Sequence, residues 1–355
     1  MVHVFQKDSR RQEPAPTHGK GYLMTSVGII ANPASGRDIR RLVAHASVFG
    51  NNEKVNILQR VLLAVDVMGV DEAIIMPDGY GLGPQALDGV HLTSLRAAVL
   101  DMPMTGTDRD STEAAIRLRD AGVGCLVVLG GDGTNRVAAK GCGSVPIASI
   151  STGTNNVFPA MVEGTVAGMA AALVAMGTVD VDEVTYRAKR LEVYVEDRLT
   201  DIALIDVVTS SDLWVGTRAI WDLARVHEIV LARAEPGSIG ISSLGCCFEP
   251  LGCRDPRGMY LELGADGTRA LAPVAPGLVT PVAVHAQRWM SIGEQVELDS
   301  NAKTLALDGE REIEIYEQRS IMVRLTQNGP RVVDIPRCME VAARSGVFLR
   351  PGPLE

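Results

Sequence analysis

Cys125-Leu126-Val127-Val128-Leu129-Gly130-Gly131-Asp132-Gly133-Thr134 runs from an unbroken apolar segment straight into a glycine turn that carries one carboxylate. A short apolar run closed by glycine reads as a strand buried on both faces, leaving its sheet at a turn. Glycines let backbone N–H groups converge on phosphate oxygens without Cβ obstruction, and a helix beginning there adds partial positive charge. A carboxylate in such a turn repels a nucleotide triphosphate unless it binds Mg²⁺ or accepts the proton of an attacking hydroxyl. Both roles belong to phosphoryl transfer.

The same texture extends on either side. Segments 27–31, 73–76, 97–100 and 146–150 also read as buried parallel strands, and amphipathic stretches lie between them. Val55, Leu58, Leu62 and Val65 recur at helical spacing within 52–68, and Ala114, Ala115 and Leu118 share one face of 110–121. This alternation predicts an α/β N-terminal domain with a doubly wound parallel sheet, whose ligands bind beyond the carboxyl ends of the strands. After a helix over 165–176, the segments 190–196, 202–209, 259–263, 279–284, 295–298, 304–307 and 321–325 read as strands separated by frequent turn signals. They predict an all-β, sandwich-like C-terminal domain, with helical patterning confined to 216–233. The expected division is a loosely ordered extension over 1–22, an α/β domain over 23–185, a β-rich domain over 186–330, and a segment over 331–355 returning to the first domain.

Composition narrows the function classes. With 34 Lys and Arg against 43 Asp and Glu, a net charge of −9 and 4% aromatic residues, the chain lacks the basic, aromatic-interleaved surface of a nucleic-acid binder. The six cysteines Cys125, Cys142, Cys246, Cys247, Cys253 and Cys338 form no C-x-x-C pair, and no signal peptide precedes the chain, so a reduced cytoplasmic setting is expected. No apolar run reaches the roughly 18 residues needed to cross a bilayer.

Three further segments bear on chemistry. Asn32-Pro33-Ala34-Ser35-Gly36-Arg37 offers a hydroxyl, amides and a cation at a strand exit, although an ordinary strand-to-helix turn has the same composition. Ser151-Thr152-Gly153-Thr154-Asn155-Asn156 opens at another strand exit, with hydroxyls and amides suited to ribose or phosphate. Asp308-Gly309-Glu310 would bring carboxylates from the β-rich half, and a hairpin turn explains Asp-Gly equally well. Other motifs fail on spacing. There is no G-x-x-x-x-G-K-[ST] loop, Gly79, Gly81 and Gly83 lack the last glycine of G-x-G-x-x-G, and 240–245 is not a G-x-S-x-G elbow. His227-Glu228 lacks the second histidine of a zinc helix, so His227 reads as a surface or satisfied core residue.

Asn-Pro-x-Ser-Gly at 32–36, Gly-Gly-Asp-Gly-Thr-Asn at 130–135, Gly-Thr-Asn-Asn at 153–156 and Asp-Gly-Glu at 308–310 together resemble the superfamily that joins NAD kinases to diacylglycerol and sphingosine kinases. The stretch 236–243 and the Pro-x-x-Pro-Gly at 273–277 look like the β domain of NAD kinases, and the chain is most similar to the acetoin-catabolism X branch, grouped as ATP-NAD kinase-like. The resemblance implies an ATP- and Mg²⁺-dependent kinase in which Gly130, Gly131, Gly133, Thr134 and Asn135 cradle the phosphates. Asn32, Ser35, Gly36, Gly153, Thr154, Asn155 and Asn156 would support the nucleotide. Asp132 would serve as general base or metal organiser, with Asp308 and Glu310 as further carboxylates and Glu310 as the alternative base. Asp206, Glu235 and Ser238 fall on the substrate side. Where NAD kinases carry an Asn-Glu pair, 203–206 reads Ala-Leu-Ile-Asp, and 236–242 lacks their base-stacking Tyr, so NAD recognition is altered. The expected function is phosphorylation of a hydroxyl of NAD or a related small metabolite by a homo-oligomer. A lipid or long-chain alcohol kinase and a non-catalytic nucleotide-binding regulator are the alternatives.

Overall fold

The computed structural model describes residues 24–36, 49–153, 155–211, 223–299, 302–315 and 319–349, with the backbone alone at 310–312. The expected extension over 1–22, Arg37 and Thr154 lie outside the described residues.

The chain enters its first sheet with β1 (Ser26–Ala31), crosses through α1 (Asn51–Met68) to β2 (Glu72–Ile75), and continues through α2 (Leu82–Asp88), β3 (Arg96–Val99) and α3 (Arg109–Asp120). It then runs through β4 (Cys125–Gly130), α4 (Asp132–Gly141), β5 (Ile147–Ser151) and α5 (Gly164–Ala175). These five strands lie in the order β3-β2-β1-β4-β5, all parallel. Helices cover both faces, which is why β1 and β4 are buried at every residue: Val27, Ile29, Val127 and Leu129 pack against α1 and α5, while Ile30, Leu126 and Val128 pack against α3 and α4. Chain order reverses between β1 and β4, so the turns leaving them open on the crevice where doubly wound sheets bind ligands.

Helix α5 is built almost wholly of small apolar residues, and this lets it press against α1. A Cβ on Gly168 would lie 2.8 Å from the Val61 carbonyl oxygen and 3.0 Å from Ala64 Cβ.

The short α6 (Val181–Val184) and β6 (Thr185–Arg187) lead into the β-rich half. There β7 (Arg190–Val195), β8 (Arg198–Ala203), β9 (Asp206–Ser210), β10 (Val226–Leu231), α7 (Ser243–Phe248), β11 (Gly258–Ala275), β12 (Leu278–Met290), β13 (Gln295–Leu298), β14 (Thr304–Leu307), β15 (Glu310–Glu314) and β16 (Ile321–Thr326) form two antiparallel sheets. Their orders are β12-β11-β10-β9-β14-β15 and β13-β16-β7-β8. Val207, Val230, Leu305 and Leu307 of the first meet Leu191, Val193, Leu298, Val323 and Leu325 of the second in one shared core, which makes the pair a sandwich. The chain then returns: β17 (Arg331–Val333) pairs in parallel with β5 and antiparallel with β6, and α8 (Ile335–Arg344) sets Cys338 against Ala170 of α5.

Two expectations require correction. The segment 226–231, read as the end of a helix, is strand β10, hydrogen-bonded to β9 and β11 on either side; its β-branched Val226, Ile229 and Val230 suit the pleat. The rest of that expected helix, up to 222, lies outside the described residues. The expected strand over 202–209 is two strands, interrupted at Leu204 and Ile205 because their amides bond a side chain instead of a neighbouring strand. All six cysteines are free, and among the described residues no helix is long and apolar enough to cross a membrane.

The α1–α5 contact leaves no room for a branched side chain. Gly168→Val is expected to lower stability by about 3 kcal/mol, at the upper end of overpacking costs. A urea titration with unchanged m-value and a loss under about 1 kcal/mol would contradict the close crossing.

Candidate functional site

Three polar turns meet at the crevice. Asn32 donates from Nδ2 to Thr134 Oγ1 at 3.0 Å, joining the turn after β1 to the turn after β4. Thr152 donates from Oγ1 to Ser35 Oγ at 2.8 Å, and its amide donates to the Gly130 carbonyl at 3.3 Å, bringing in the turn after β5. Glycine is required here because the chain packs so closely within and between the turns. A Cβ on Gly130 would lie 2.5 Å from Thr134 Cβ, and one on Gly36, whose φ is +70°, would lie 2.5 Å from the Thr152 carbonyl oxygen.

Helix α4 starts in the middle of this meeting point. Its N-cap Gly131 is extended and offers no side-chain cap, and the first intrahelical bond runs from the Asn135 amide to the Gly131 carbonyl. The amides of Asp132, Gly133 and Thr134 therefore have no acceptor within the helix, and together with the helix dipole they suit an anion. Asp132 itself is 9% exposed. Its Oδ1 accepts the amides of Val157 at 3.0 Å and Phe158 at 2.8 Å, and Oδ2 accepts Val157 at 3.1 Å. The carboxylate thus fastens the segment after β5 to the start of α4.

Lys54, which sequence reasoning passed over, holds the first turn. It is 0% exposed, and its Nζ donates to the carbonyls of Asn32 at 3.0 Å, Pro33 at 2.9 Å and Ser35 at 2.7 Å, and to Asn51 Oδ1 at 3.2 Å. The sequence did carry a signal. Lys54 stands four residues before Leu58 and seven before Val61, on the apolar stripe of α1. Arg136 is the second omission: at 1% exposure it faces Asp308 Oδ2 at 3.6 Å and Asp201 Oδ2 at 3.3 Å, tying α4 to the β-rich half.

Several expected site residues are braces. Asn135 is fully buried, donating from Nδ2 to the Gly131 carbonyl at 2.9 Å and accepting Ser149 Oγ at 2.7 Å, so its side chain is consumed internally and is withdrawn as a nucleotide contact. The Asp308 side chain is 0% exposed and accepts the amides of Leu204 at 2.9 Å and Ile205 at 2.8 Å, so its catalytic assignment is withdrawn as well. Asp206, expected on the substrate side, is buried beside it and accepts the Gly309 amide at 3.2 Å. Glu235 pairs with Arg233 at 2.7 Å, and Ser238 donates to the Glu235 carbonyl at 2.7 Å in a local turn. Asn156 donates to Ser151 Oγ at 2.8 Å and lies 2.9 Å from where a Gly131 Cβ would be, so it closes the third turn. Glu310 is described in backbone only. His227 is exposed, as expected of a surface residue.

Burial pushes Asp308 well above the ordinary carboxylate range; Arg136 opposes this and the neighbouring Asp206 and Asp132 add to it. Among the described residues no group of three or more His, Cys, Asp or Glu side chains is arranged to hold a metal ion, so the expected metal role of Asp132 has no supporting cluster. A cavity of about 650 Å³ lies beside the start of α3, lined by residues including Thr105, Arg109, Glu113, Lys140 and Asp201. None of its lining residues belongs to the three turns.

Comparison with known proteins accords with this two-part construction. Residues 27–179 match the ATP-NAD kinase N-terminal domain, and residues 189–328 match the acetoin catabolism protein X C-terminal domain. The chain is 38% identical over 333 residues to acetoin catabolism protein X of Cupriavidus necator, covering 90% of this chain and 92% of that protein.

Two outcomes test the geometry. Lys54→Met removes the buried donor to the carbonyls of Pro33 and Ser35, while the Asn32 carbonyl keeps the amide and hydroxyl of Ser35, and is expected to cost about 1–3 kcal/mol per unsatisfied group before relaxation. Chemical denaturation showing no loss would refute the clamp. For Asp308, a raised folded pKa means that its contribution to stability is complete below the unfolded value of 3.8 and is lost as pH rises through the folded value. Asp308→Asn mimics the protonated form, so the fall in urea midpoint above about pH 4 should be shallower in the variant. Identical slopes would show that burial does not govern this group.

Proposed function

Because the chain belongs to the acetoin catabolism protein X family, we propose that it is an ATP-dependent phosphotransferase that acts on a hydroxyl of a small metabolite, with NAD the first acceptor to consider. One observation carries the reading: three polar turns and the uncapped start of α4 converge where the parallel sheet reverses its strand order. The amides of Gly133 and Thr134 bind phosphate oxygens, while the Asn32–Thr134 and Thr152–Ser35 bonds hold the turns at fixed separation, so that binding requires little reorganisation.

The donor set fits phosphate better than it fits a resident metal. Mg²⁺ is commonly held by one or two carboxylates together with substrate phosphates, and Asp132 provides one such carboxylate at the helix start. Asp132 would hold such an ion together with the nucleotide's phosphates, and the ion would supply charge neutralisation to the transferring phosphoryl group. In this reading the Asp132 carboxylate accepts the hydrogen of the acceptor hydroxyl, and this orients the hydroxyl toward the phosphorus.

A second reading is favoured by the engagement of Asp132 with those same amides: a nucleotide-binding regulator that keeps the phosphate turns and lacks turnover. The relative's name adds acetoin, a small molecule with a secondary hydroxyl, to the acceptors worth screening.

ADP release with Mg·ATP and a panel led by NAD and acetoin separates the two. Acceptor-dependent release supports the transferase, while calorimetric ATP binding with no release for any acceptor supports the regulator. In the transferase, Asp132→Asn is expected to reduce turnover by about 10²-fold or more with ATP affinity retained. Unchanged turnover would remove Asp132 from the chemistry.

A further inference from the structure

Arg233 follows β10 at the seam between the two halves and is 5% exposed. Its Nε and Nη2 both reach Glu235 Oε1, at 3.1 and 2.7 Å, and its guanidinium carbon lies 5.2 Å over the ring of Phe158. The third nitrogen, Nη1, is buried and has no hydrogen-bond partner among the described residues. A desolvated guanidinium N–H with nothing to donate to is costly, so its retention calls for an acceptor.

The surroundings select the kind of acceptor. Lys189 is buried in the same cluster, with Nζ donating to the Arg257 carbonyl at 2.6 Å. Burial pulls its pKa down to about 8; Arg233 and Arg257 add to the fall and Asp255 opposes it. Tyr186 lies near Cys253, and burial raises its phenol to about 12, opposed by Arg233. Two buried cations thus face one neutral phenol and one thiol, with Glu235 and Asp255 only partly enclosed. Gly252, whose carbonyl lies 3.5 Å from Lys189 Nζ, has open space along its own Cβ direction.

We infer that this seam binds the oxyanion of a small metabolite, a phosphate or a carboxylate, with Arg233 Nη1 and Lys189 as donors. The Phe158 ring under Arg233 belongs to the residue whose amide bonds Asp132, so an anion held here is one residue removed from the polar turns. Such an anion relieves the repulsion between the two cations and gives Nη1 its acceptor. The inference concerns binding alone and stands whether or not phosphoryl transfer occurs.

The test is a local footprint that needs neither ATP nor turnover. Cys253 sits in the cluster and Cys247 is exposed elsewhere, so iodoacetamide labelling of both, followed by peptide mass spectrometry, reports the seam with an internal control. At ten times its Kd, inorganic phosphate leaves about one molecule in eleven unliganded, so Cys253 labelling should slow about ten-fold while Cys247 is unaffected. Acetate in place of phosphate distinguishes a carboxylate source from a phosphate source, and protection by either supports the site. Arg233→Met should abolish protection and Arg233→Lys restore part of it. Glu235→Gln, which frees the guanidinium fork, should strengthen it, giving a variant of opposite sign should the methionine substitution impair folding. Equal Cys253 labelling with both anions and with chloride, or protection that survives Arg233→Met, overturns the inference.

Discussion

The carboxylate of Asp132 gripping the amides of Val157 and Phe158 is the contact on which the arrangement depends. It joins the start of α4 to the segment after β5 through one carboxylate shared by two backbone amides. With it, the three turns become one surface, and Phe158 is set where its ring can lie beneath Arg233 of the β-rich half. A backbone amide is a good partner for this purpose because it has no rotamers to lose: fixing it costs less conformational entropy than fixing a second long side chain.

Buried ions tie the rest together, and each solves its desolvation problem differently. Lys54 spends its donors on carbonyls of a turn that otherwise has no regular partner, so a single ammonium replaces the hydrogen bonds that a strand would supply. Arg136 lies between Asp308 and Asp201, bridging the parallel sheet's helix layer to the sandwich. Asp308 breaks a strand: it accepts the amides at 204 and 205, and β8 and β9 are separated there as a direct result. Removing one partner of such a set costs more than the set contributes, because the survivor is left charged and dry.

Much of the fold was legible in the sequence because buried parallel strands advertise themselves as apolar runs ending in glycine. The segments around 27, 73, 97, 125 and 147 all became strands within a residue or two of their expected limits. The helix expected over 216–233 failed at its end because Val226, Ile229 and Val230 satisfy a three-to-four spacing as readily as a pleat, and only the neighbouring strands β9 and β11 decide between them. The turns of the site were legible and the roles of their side chains were not. Asn135 and Asp308 look like ligands in one dimension because polarity beside glycine suggests a binding loop, whereas in three dimensions the same polarity satisfies buried amides and hydroxyls. Lys54 showed only its place on the apolar stripe of α1, and neither it nor Arg136 nor Arg233 carried a spacing that identifies its partner.

The charge distribution at the crevice constrains how a nucleotide could be held there. Within 32–36, 130–135 and 151–156 there is no lysine or arginine, and Arg37, which follows the first turn, lies outside the described residues. Lys54 and Arg136, the cations next to these turns, are committed to carbonyls and to carboxylates. A triphosphate docking at the start of α4 would therefore meet amide dipoles and the helix end, worth about 0.3–1 kcal/mol for exposed charges and up to about 2 kcal/mol when partly buried. It would also meet the negative charge of Asp132. Amides alone do not offset that charge, so a nucleotide held here would need a further cation, and under the proposed function a divalent ion travelling with the phosphates would supply it. The same logic explains why a site of this kind can dispense with a dedicated metal cage: a cage of carboxylates would repel the nucleotide before the ion arrived, whereas one carboxylate bound to backbone amides has part of its charge already answered.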